Sequence, residues 1–325
     1  MAVFRCNKCR YLREVPNQHI GKKVKCPICQ TTMPVYDTVF FIKDVLKQYS
    51  NVKKELRNLK PVPITTNTSD MDIFNTTAMT EKKQYQPILD WFKSKNIQLD
   101  INKKALDTTG FFDDIAVKLG KNYSTLRIVT DKIKRIQKKG YTHMTLDLSD
   151  YEKEANLIRE FCEELYEYAF VSKCFFNRKK NLIHLDLQTA QPIVSFFNGE
   201  WLEWFAFMEI LALCHKYKLD FAGLRNFKIS FSNKDTNELD IFFLINNVPI
   251  FIECKSGEFR PYIDKYIKMR KRLRIDKQNF FMLVVDLSDE QIQGLTNMFD
   301  ITFVNEKSFA KQISTLLTST SITNK

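Results

Sequence analysis

The stretch LDIFFLINNVPIFIECKSG, residues 239–257, decides the fold of the C-terminal part of this chain. Two runs rich in Ile, Phe and Val flank Asn246 and Asn247. Asparagine tolerates the positive φ that a two-residue type I′ turn requires. The pattern therefore predicts an antiparallel β-hairpin whose turn is formed by these two residues.

The hairpin carries three charged side chains within its apolar strands. With the turn in that position, Ile245 lies opposite Val248, and Asp240 lies opposite Glu253. Opposite side chains share a face, with Cβ atoms roughly 4.5–5.5 Å apart, and Lys255 shares that face because a strand has a period of two residues. An exposed strand end, or a simple ion pair between Asp240 and Lys255, would also explain these charges.

The two facing carboxylates would repel each other, and their burial is costly unless a cation compensates. Mg²⁺ or Mn²⁺ is the expected compensator, because such ions prefer carboxylate oxygens. We therefore expect Asp240 and Glu253 to be metal ligands. We expect Lys255 to orient a water molecule or to stabilise the charge that develops on a phosphate.

The elements around the hairpin predict an α/β domain. A helix from about Phe196 is apolar around most of its circumference, and strands at RNFKISFS, NELDIFFLI and PIFIECKS follow it. A basic helix, the strand NFFMLVVDL, a helix opened by the capping pair Ser288 and Gln291, and the strand ITFV complete the order. This order is typical of a mixed sheet flanked by helices. Glu203 is a charge among apolar neighbours of the first helix, so it faces a cleft, a partner or a partly exposed helix edge.

Two segments of this region resemble a known nuclease group. LDIFFLINNVPIFIECKSG resembles the PD-(D/E)xK signature of the restriction-endonuclease-like superfamily, with Asp240 and Glu253 as its acids, Lys255 as its lysine, and Leu239 in place of the proline. NGEWLEWFAFMEI resembles the G-x-W-L-E segment that opens the nuclease domain of cyclic-oligoadenylate-activated CRISPR ancillary nucleases. The resemblance spans about residues 196–305.

This resemblance implies a restriction-endonuclease-like fold and the hydrolysis of phosphodiester bonds with Mg²⁺ or Mn²⁺. It implies that Glu203 is a further active-site carboxylate that projects toward the metal. It also implies a role in prokaryotic defence against phage or plasmids. Those CRISPR nucleases carry a Rossmann-like sensor domain at the N-terminus, whereas this chain has a cysteine-bearing module there.

Two Cys-x2-Cys pairs stand near the N-terminus, with sixteen residues between them. This spacing is typical of a zinc ribbon, in which two knuckles bring four thiolates into a tetrahedron around a structural Zn²⁺ ion. Two disulfides or a redox role are alternatives that the doubled spacing disfavours. The basic surroundings of the module favour nucleic acid as its partner, although zinc ribbons also bind proteins. The expected zinc ligands are Cys6, Cys9, Cys26 and Cys29.

The predicted domains are a zinc ribbon over residues 1–35, a helix over 36–60, a linker over 61–82, a mainly helical or winged-helix middle domain over 83–193 and the nuclease domain over 194–325. In the middle domain, FFDDIAVKLGKNYSTLRIVTDKIKRIQKKG predicts two helices joined by a turn from Gly120 to Ser124. They form either a DNA-reading helix-turn-helix or an ordinary helix pair. Ser149 and Glu152 predict a capping box for the next helix. The hairpin FVSKCFFNRKKNLIHLDL follows, with a basic tip at residues 178–180.

The formal net charge of +12 and the pI of about 9.2 favour a polyanionic partner. In the basic helix RPYIDKYIKMRKRLRIDK, an apolar stripe of Tyr262, Tyr266, Met269 and Leu273 is expected to face inward, which turns the basic residues outward beside the site. An ordinary solvated basic face is the alternative. The residues expected to contact nucleic acid are Lys134, Arg135, Lys268, Arg270, Arg272 and Arg274.

Several classes of protein are disfavoured by the sequence. It has no glycine-rich phosphate loop, its first residues lack the apolar core of a signal peptide, and its longest apolar window is interrupted by Glu203 and Glu209. We expect a cytoplasmic nuclease without membrane contact that favours DNA over RNA. A non-catalytic DNA-binding or adaptor protein that uses the nuclease-like fold as a scaffold is the alternative. The sequence leaves open whether the protein forms a homodimer and whether a partner protein or a ligand activates it.

Overall fold

The structure is a computed structural model that describes residues 2–6, 8–9, 11–39, 79, 81–106 and 111–322. It divides the chain into two compact units, residues 1–67 and 68–325. The predicted helix over 36–60 and the predicted linker over 61–82 lie almost entirely outside the described residues. Among the described helices, none combines the length and the apolar character that a bilayer crossing needs.

The described part of the first unit consists of two β-hairpins. Its strands are β1 (Ala2–Arg5), β2 (Leu12–Val15), β3 (Lys23–Lys25) and β4 (Thr32–Asp37). They form one antiparallel sheet in the order β2-β1-β4-β3. Each Cys-x2-Cys pair lies in the connection of one hairpin, Cys6 and Cys9 after β1, and Cys26 and Cys29 after β3.

The second unit contains helices and strands in alternation. Its described α-helices are α1 (Lys82–Lys93), α2 (Phe112–Lys121), α3 (Tyr123–Lys138), α4 (Ala155–Glu167), α5 (Gln191–Ser195), α6 (Trp201–Tyr217), α7 (Ile263–Leu273), α8 (Asp289–Met298) and α9 (Phe309–Ile322). Its described strands are β5 (Gln98–Asp100), β6 (His143–Asp147), β7 (Val171–Asn177), β8 (Leu182–Leu187), β9 (Phe221–Ser230), β10 (Thr236–Ile245), β11 (Val248–Lys255), β12 (Phe280–Val284) and β13 (Thr302–Val304).

A six-stranded mixed sheet is the centre of this unit. Its order is β13-β12-β11-β10-β9-β5, with antiparallel pairing from β5 to β11 and parallel pairing from β11 to β13. The predicted register of the β10–β11 hairpin is confirmed, because Ile245 pairs with Val248. Asn246 and Asn247 have φ values of 48° and 66°, which is the positive range that the type I′ turn needs.

Helices cover both faces of the sheet, so its strands are buried along most of their length. Phe92 of α1 packs against Phe242 at a ring separation of 4.9 Å, and Phe207 of α6 packs against Phe243 at the same separation. Consecutive residues of a strand point to opposite faces. The two helices therefore lie on opposite sides of β10, and α6 is the central core helix that the sequence predicts.

A second, three-stranded antiparallel sheet has the order β6-β8-β7. Buried and more exposed residues alternate along β8, where Ile183 and Leu185 are buried and His184 and Asp186 are partly exposed. Helices α3 and α4 pack against the buried side. The sheet thus has one covered face and one open face, as antiparallel sheets commonly do.

The segment predicted as a separate middle domain shares its core with the main sheet. Strand β5, from that segment, pairs with β9 at the sheet edge. Buried apolar residues from Met79 to Leu317 form one continuous cluster. The described residues of this segment therefore pack as part of the second unit, and its winged-helix character stays a prediction.

The two predicted helices of that segment are confirmed, but the turn between them is shorter than predicted, since Gly120 lies inside α2 and only Asn122 separates α2 from α3. The capping box predicted at Ser149 and Glu152 is wrong, because helix α4 begins at Ala155 and the Ser149 hydroxyl donates to Asp147 Oδ1 at 2.7 Å rather than accepting from a helix N–H. By contrast, the predicted capping box at the start of α8, formed by Ser288 and Gln291, is confirmed.

Candidate active site

The β10–β11 hairpin brings Asp240 and Glu253 together. The paired residues of the ladder run out to Ile241 and Ile252, and the two acids come next in the same register. The backbone N–H of Cys254 donates to Asp240 Oδ2 at 2.8 Å, which holds this carboxylate across the hairpin. The two carboxylates therefore lie side by side at the end of the hairpin that is remote from the turn.

A local irregularity of the backbone accompanies Asp240. On its other side, β10 pairs with β9 through Leu239–Phe227 and Ile241–Arg225, but the pair between them is missing. The residue opposite Asp240 is Asn226, which has a φ of 48°. Such departures from regular strand geometry occur often beside functional sites, where they direct a side chain away from the regular ladder.

Glu253 is the most buried of the acidic groups, with 2% of its surface exposed. Its Oε1 accepts hydrogen bonds from Lys255 Nζ at 2.5 Å and from the hydroxyl of Tyr266. Its Oε2 is buried and has no hydrogen-bond partner. Burial and the nearby Asp240 carboxylate raise the pKa of Glu253 to about 8, although the Lys255 ammonium acts in the opposite direction. When Glu253 is ionised, its Oε2 therefore has no hydrogen-bond donor beside it among the residues that the structure describes.

Lys255 and Asp240 complete the charged cluster. Burial raises the pKa of Asp240, and the Lys255 ammonium opposes that rise. Burial alone would lower the pKa of Lys255, but the carboxylates of Glu253 and Asp240 outweigh it and raise that pKa. Lys255 is therefore a charged ammonium that bonds to Glu253, and the cluster contains two carboxyl groups for one ammonium.

Glu203, from the first turn of α6, is held by a buried arginine. Arg225 Nη1 lies 3.0 Å from Glu203 Oε2, and Arg225 Nε donates to the carbonyl of Ala105 at 2.9 Å. The guanidinium also lies 3.9 Å from the ring centroid of Trp204. Burial and the charge of Asp240 raise the pKa of Glu203, while Arg225 opposes that rise. Of the surroundings that the sequence allows for Glu203, the structure shows a partner, Arg225, and a place in a cavity lining, and sequence reasoning did not find Arg225.

Glu203, Asp240, Lys255 and Tyr266 line one open cavity of about 480 Å³, whereas Glu253 and Arg225 are buried and are not among its lining residues. Gly199 lies in its wall with a φ of 147°, which residues with a side chain rarely adopt, and a Cβ at this position would lie 2.9 Å from Ser256 Oγ. This close approach explains the glycine that precedes α6. The cavity brings together Lys134, Glu203, Asp240, Lys255, Lys265 and Tyr266.

The donor set fits a divalent cation. Two adjacent carboxylates with raised pKa values, one with a buried oxygen that lacks a partner, provide the hard oxygen ligands that Mg²⁺ and Mn²⁺ prefer. Glu203, Asp240 and Glu253 are not clustered as tightly as the ligands of a site in which the protein surrounds the ion. Among the described residues, the one set of three or more potential ligand groups lying within 4.8 Å of one another is that of the cysteines. Arg225 holds the Glu203 carboxylate through one of its oxygens, Oε2.

The predicted nucleic-acid contacts divide into two groups by position. Lys134 lines the cavity, and Arg135 and Lys268 are exposed. Arg270 is mostly buried, and it donates to the carbonyl of Ile275 and pairs with Asp300. Arg272 stacks on Phe231 and pairs with Asp235, while Arg274 is exposed just after α7.

The predicted inward stripe of the basic helix is partly wrong. Tyr262 is 47% exposed at the cavity, and Ile263 takes the buried position instead. Tyr266, Met269 and Leu273 are buried as predicted, and Arg270, next to Met269, is mostly buried as well. The Tyr266 hydroxyl, which reaches Glu253, is a further functional contact that the apolar stripe alone does not reveal.

The four N-terminal cysteines form a separate candidate metal site in the first unit. The Sγ atoms of Cys6 and Cys29 lie 3.3 Å apart, and those of Cys9 and Cys26 lie 3.5 Å apart. These separations are much longer than the bond of about 2.05 Å in a disulfide. All four sulfur atoms lie within 4.8 Å of one another, so the cluster can hold a metal ion such as Zn²⁺.

Comparisons with known proteins give remote likenesses. No protein-family model and no curated protein matches the sequence. The crystal structure of protein VC1899 from Vibrio cholerae is 17% identical, with a TM-score of 0.46 over 71% of this chain and 60% of that one. The structure of Can2 from Sulfobacillus thermosulfidooxidans in complex with cyclic tetra-adenylate is 16% identical, with a TM-score of 0.48 over 70% of this chain and 59% of that one. The matched region thus covers less than two thirds of either of these structures.

Proposed function

We propose that the protein is a Mg²⁺- or Mn²⁺-dependent nuclease that hydrolyses phosphodiester bonds of nucleic acid, with DNA favoured over RNA. The observation that carries the proposal is the position of Asp240 beside the buried Glu253, with Asp240 and Lys255 lining an open cavity. Burying two acids side by side is costly, and a divalent cation offsets that cost. The sequence resemblance to PD-(D/E)xK nucleases assigns the same three residues to the site.

In this proposal, Asp240 and Glu253 hold the cation, and Glu253 contributes its partnerless Oε2. A divalent ion bound there supplies positive charge beside the phosphate and lowers the pKa of a water molecule. The hydroxyl of Tyr266 keeps Glu253 Oε1 occupied, so the carboxylate presents its other oxygen. This hydrogen bond fixes the orientation of the Glu253 carboxylate, which is the proposed metal ligand.

Lys255 supports the reaction as a charged group at the cavity. Its ammonium is held on Glu253 Oε1, next to the place where a phosphate would approach the metal ligands. In hydrolysis, the oxygen of water forms a bond to phosphorus while the bond to the leaving oxygen breaks. An ammonium at this place stabilises the negative charge that develops on the phosphate oxygens, or it orients the attacking water.

Glu203 and the lysines of the wall have supporting roles. Arg225 fixes the Glu203 carboxylate, which reaches the cavity and assists with the metal or with its water. Lys134 and Lys265 at the cavity offer positive charge to the phosphates on either side of the scissile one. By the sequence resemblance, the biological setting is prokaryotic defence, and the cysteine cluster holds a structural zinc ion.

The test is a cleavage assay with labelled single- and double-stranded DNA and RNA in Mn²⁺, Mg²⁺ or EDTA. Wild type is expected to cleave at least one substrate with Mn²⁺ and none with EDTA. Lys255→Met is expected to lower the rate by about 10²–10³-fold, as the loss of a charge-stabilising donor does. Glu253→Gln and Asp240→Asn are expected to abolish cleavage, whereas Glu152→Gln, at an exposed position on a loop, serves as the matched control.

The opposite result has a clear meaning. If Glu253→Gln cleaves as wild type does in every condition, the site assignment is wrong. If wild type binds nucleic acid but cleaves none of the four substrates with either metal, the alternative of a non-catalytic DNA-binding or adaptor protein replaces the nuclease proposal.

A further inference from the structure

The open face of the three-stranded sheet carries rings and positive charge that the proposed nuclease site does not use. Phe175 on β7 is 62% exposed, and the side chains of His143 on β6 and Lys173 on β7 are 65% and 77% exposed. A solvent-exposed phenylalanine in the middle of a strand buries little apolar surface, so it contributes little to the stability of the fold.

Three rings, one from each strand, form a row across this face, which we call the ring row. The centroids of His143 and His184 are 6.2 Å apart with planes 19° from parallel. The centroids of Phe175 and His184 are 6.1 Å apart with planes 24° from parallel. The rings therefore share nearly one orientation over the full width of the sheet.

Hydrogen bonds fix the two imidazoles of the ring row. Asp186 Oδ1 lies 2.7 Å from His143 Nδ1, and Thr145 Oγ1 lies 3.0 Å from His184 Nδ1. Both partners are neighbours on the same open face. Because the rings are held before any ligand arrives, binding to them loses little side-chain entropy.

Positive charge lies beside the ring row. Lys173 stands on the same face, and the β7–β8 turn adds the exposed basic residues 178–180. The acidic side chains of this face are already engaged, since Asp186 accepts from His143 and pairs with Lys173 at 3.1 Å, and Asp147 accepts from Ser149. The surface thus combines flat rings with cations that suit phosphates.

We propose that this face binds a single-stranded segment of nucleic acid, with bases stacked on the ring row and phosphates along Lys173 and residues 178–180. Single strands are bound by this combination of aromatic platforms and basic groups, because their bases expose π-faces that a duplex hides. Aromatic pairing across strands also stabilises sheets, but that role does not require a ring to stand in solvent beside a basic turn.

The test measures how tightly a fluorescein-labelled single-stranded DNA oligonucleotide binds the full-length protein. Fluorescence anisotropy detects the binding, and no divalent metal is added. Phe175→Ala is expected to raise the Kd by roughly 5- to 150-fold, which corresponds to the loss of one stacked base. Binding of the matching duplex should stay unchanged. Tyr166→Ala is the matched control, because Tyr166 is an aromatic residue with 52% exposure on α4, on the other side of the sheet.

A second variant gives a direct signal of stacking. Phe175→Trp is expected to retain binding, and its added tryptophan fluorescence should be quenched by the single strand and not by the duplex. The proposal is wrong if Phe175→Ala binds the single strand as wild type does, if it weakens the duplex equally, or if the added fluorescence is not quenched. These outcomes concern binding alone, so they are independent of whether the metal site cleaves.

Discussion

Arg225 Nη1 lies 3.0 Å from Glu203 Oε2, and both side chains are withdrawn from water, with 4% and 15% of their surfaces exposed. The guanidinium is held by a backbone carbonyl and by the face of Trp204 as well. This ion pair joins the helix α6 to the strand β9, where Arg225 pairs with Ile241, the neighbour of Asp240. It fixes one carboxylate of the cavity lining.

Replacement of Arg225 should therefore lower the free energy of unfolding. Arg225→Met leaves the Glu203 carboxylate buried without its partner, and removal of one member of a buried ion pair typically costs about 3–5 kcal/mol. We expect a loss of that size in the free energy of unfolding. Denaturant unfolding followed by tryptophan fluorescence measures it, because Trp91, Trp201 and Trp204 all lie in the second unit.

Two further variants make this measurement specific. Arg260→Met removes an ion pair with Glu258 in which both side chains are mostly exposed, and it should change stability by less than about 1 kcal/mol. Adding Glu203→Gln to Arg225→Met should restore part of the loss, because the uncompensated charge is gone. A double variant that is less stable than Arg225→Met would contradict this account of the ion pair.

Glu253→Gln should stabilise the metal-free protein. Glu253 Oε2 is buried without a partner and faces a second acid, whereas an amide nitrogen in its place can donate to Asp240. Removing an unsatisfied buried group recovers about 1–3 kcal/mol. Thermal unfolding without added divalent metal should show the increase in Tm, with Glu152→Gln as the unchanged control.

The same pair of proteins tests metal binding without any cleavage. Mn²⁺ at about 100 times its Kd should stabilise wild type by about 2.7 kcal/mol, because the ion binds the folded state alone. Glu253→Gln should show little of this gain, since one ligand is lost. An equal rise in Tm for both proteins would show that the ion binds elsewhere.

The features that could be predicted from the sequence depend on neighbours along the chain. The register of β10 and β11 follows from Asn246 and Asn247 and from the period of two, so counting from the turn was enough to place Asp240 beside Glu253. The capping box at Ser288 is equally local. Such patterns need no knowledge of the rest of the fold.

The features that were missed depend on contacts between distant segments. Arg225 contacts Glu203 and the carbonyl of Ala105, and the latter is 120 residues away in the chain. No periodicity connects such residues. The placement of Gly120 in a turn was wrong for the same reason, because this glycine packs against Phe205 of a helix that lies much later in the sequence.

The cysteine cluster should bind one zinc ion per chain. Four thiolates at tetrahedral spacing fill the coordination sphere, so the zinc is structural and Cys26→Ser should lose most of it. Metal analysis of the reduced protein measures the ratio, and Cys174→Ser, which alters a half-buried cysteine of β7 outside the cluster, should keep it. A zinc-free wild-type protein, or equal zinc in both variants, would exclude this site.

Gly120 has a packing role that one pair of substitutions tests. A Cβ at this position of α2 would lie 2.2–2.6 Å from ring atoms of Phe205, which is buried in α6, whereas a Cβ at Gly294 of α8 would meet nothing within 4 Å. Gly120→Ala should therefore destabilise the protein by about 1–3 kcal/mol through overpacking. Gly294→Ala should stabilise it by about 0.5–1 kcal/mol, because alanine is the better helix former. The same substitution should therefore lower the free energy of unfolding in one helix and raise it in the other, and denaturant unfolding measures both changes. If both variants change stability in the same direction, the close contact between α2 and α6 is wrong.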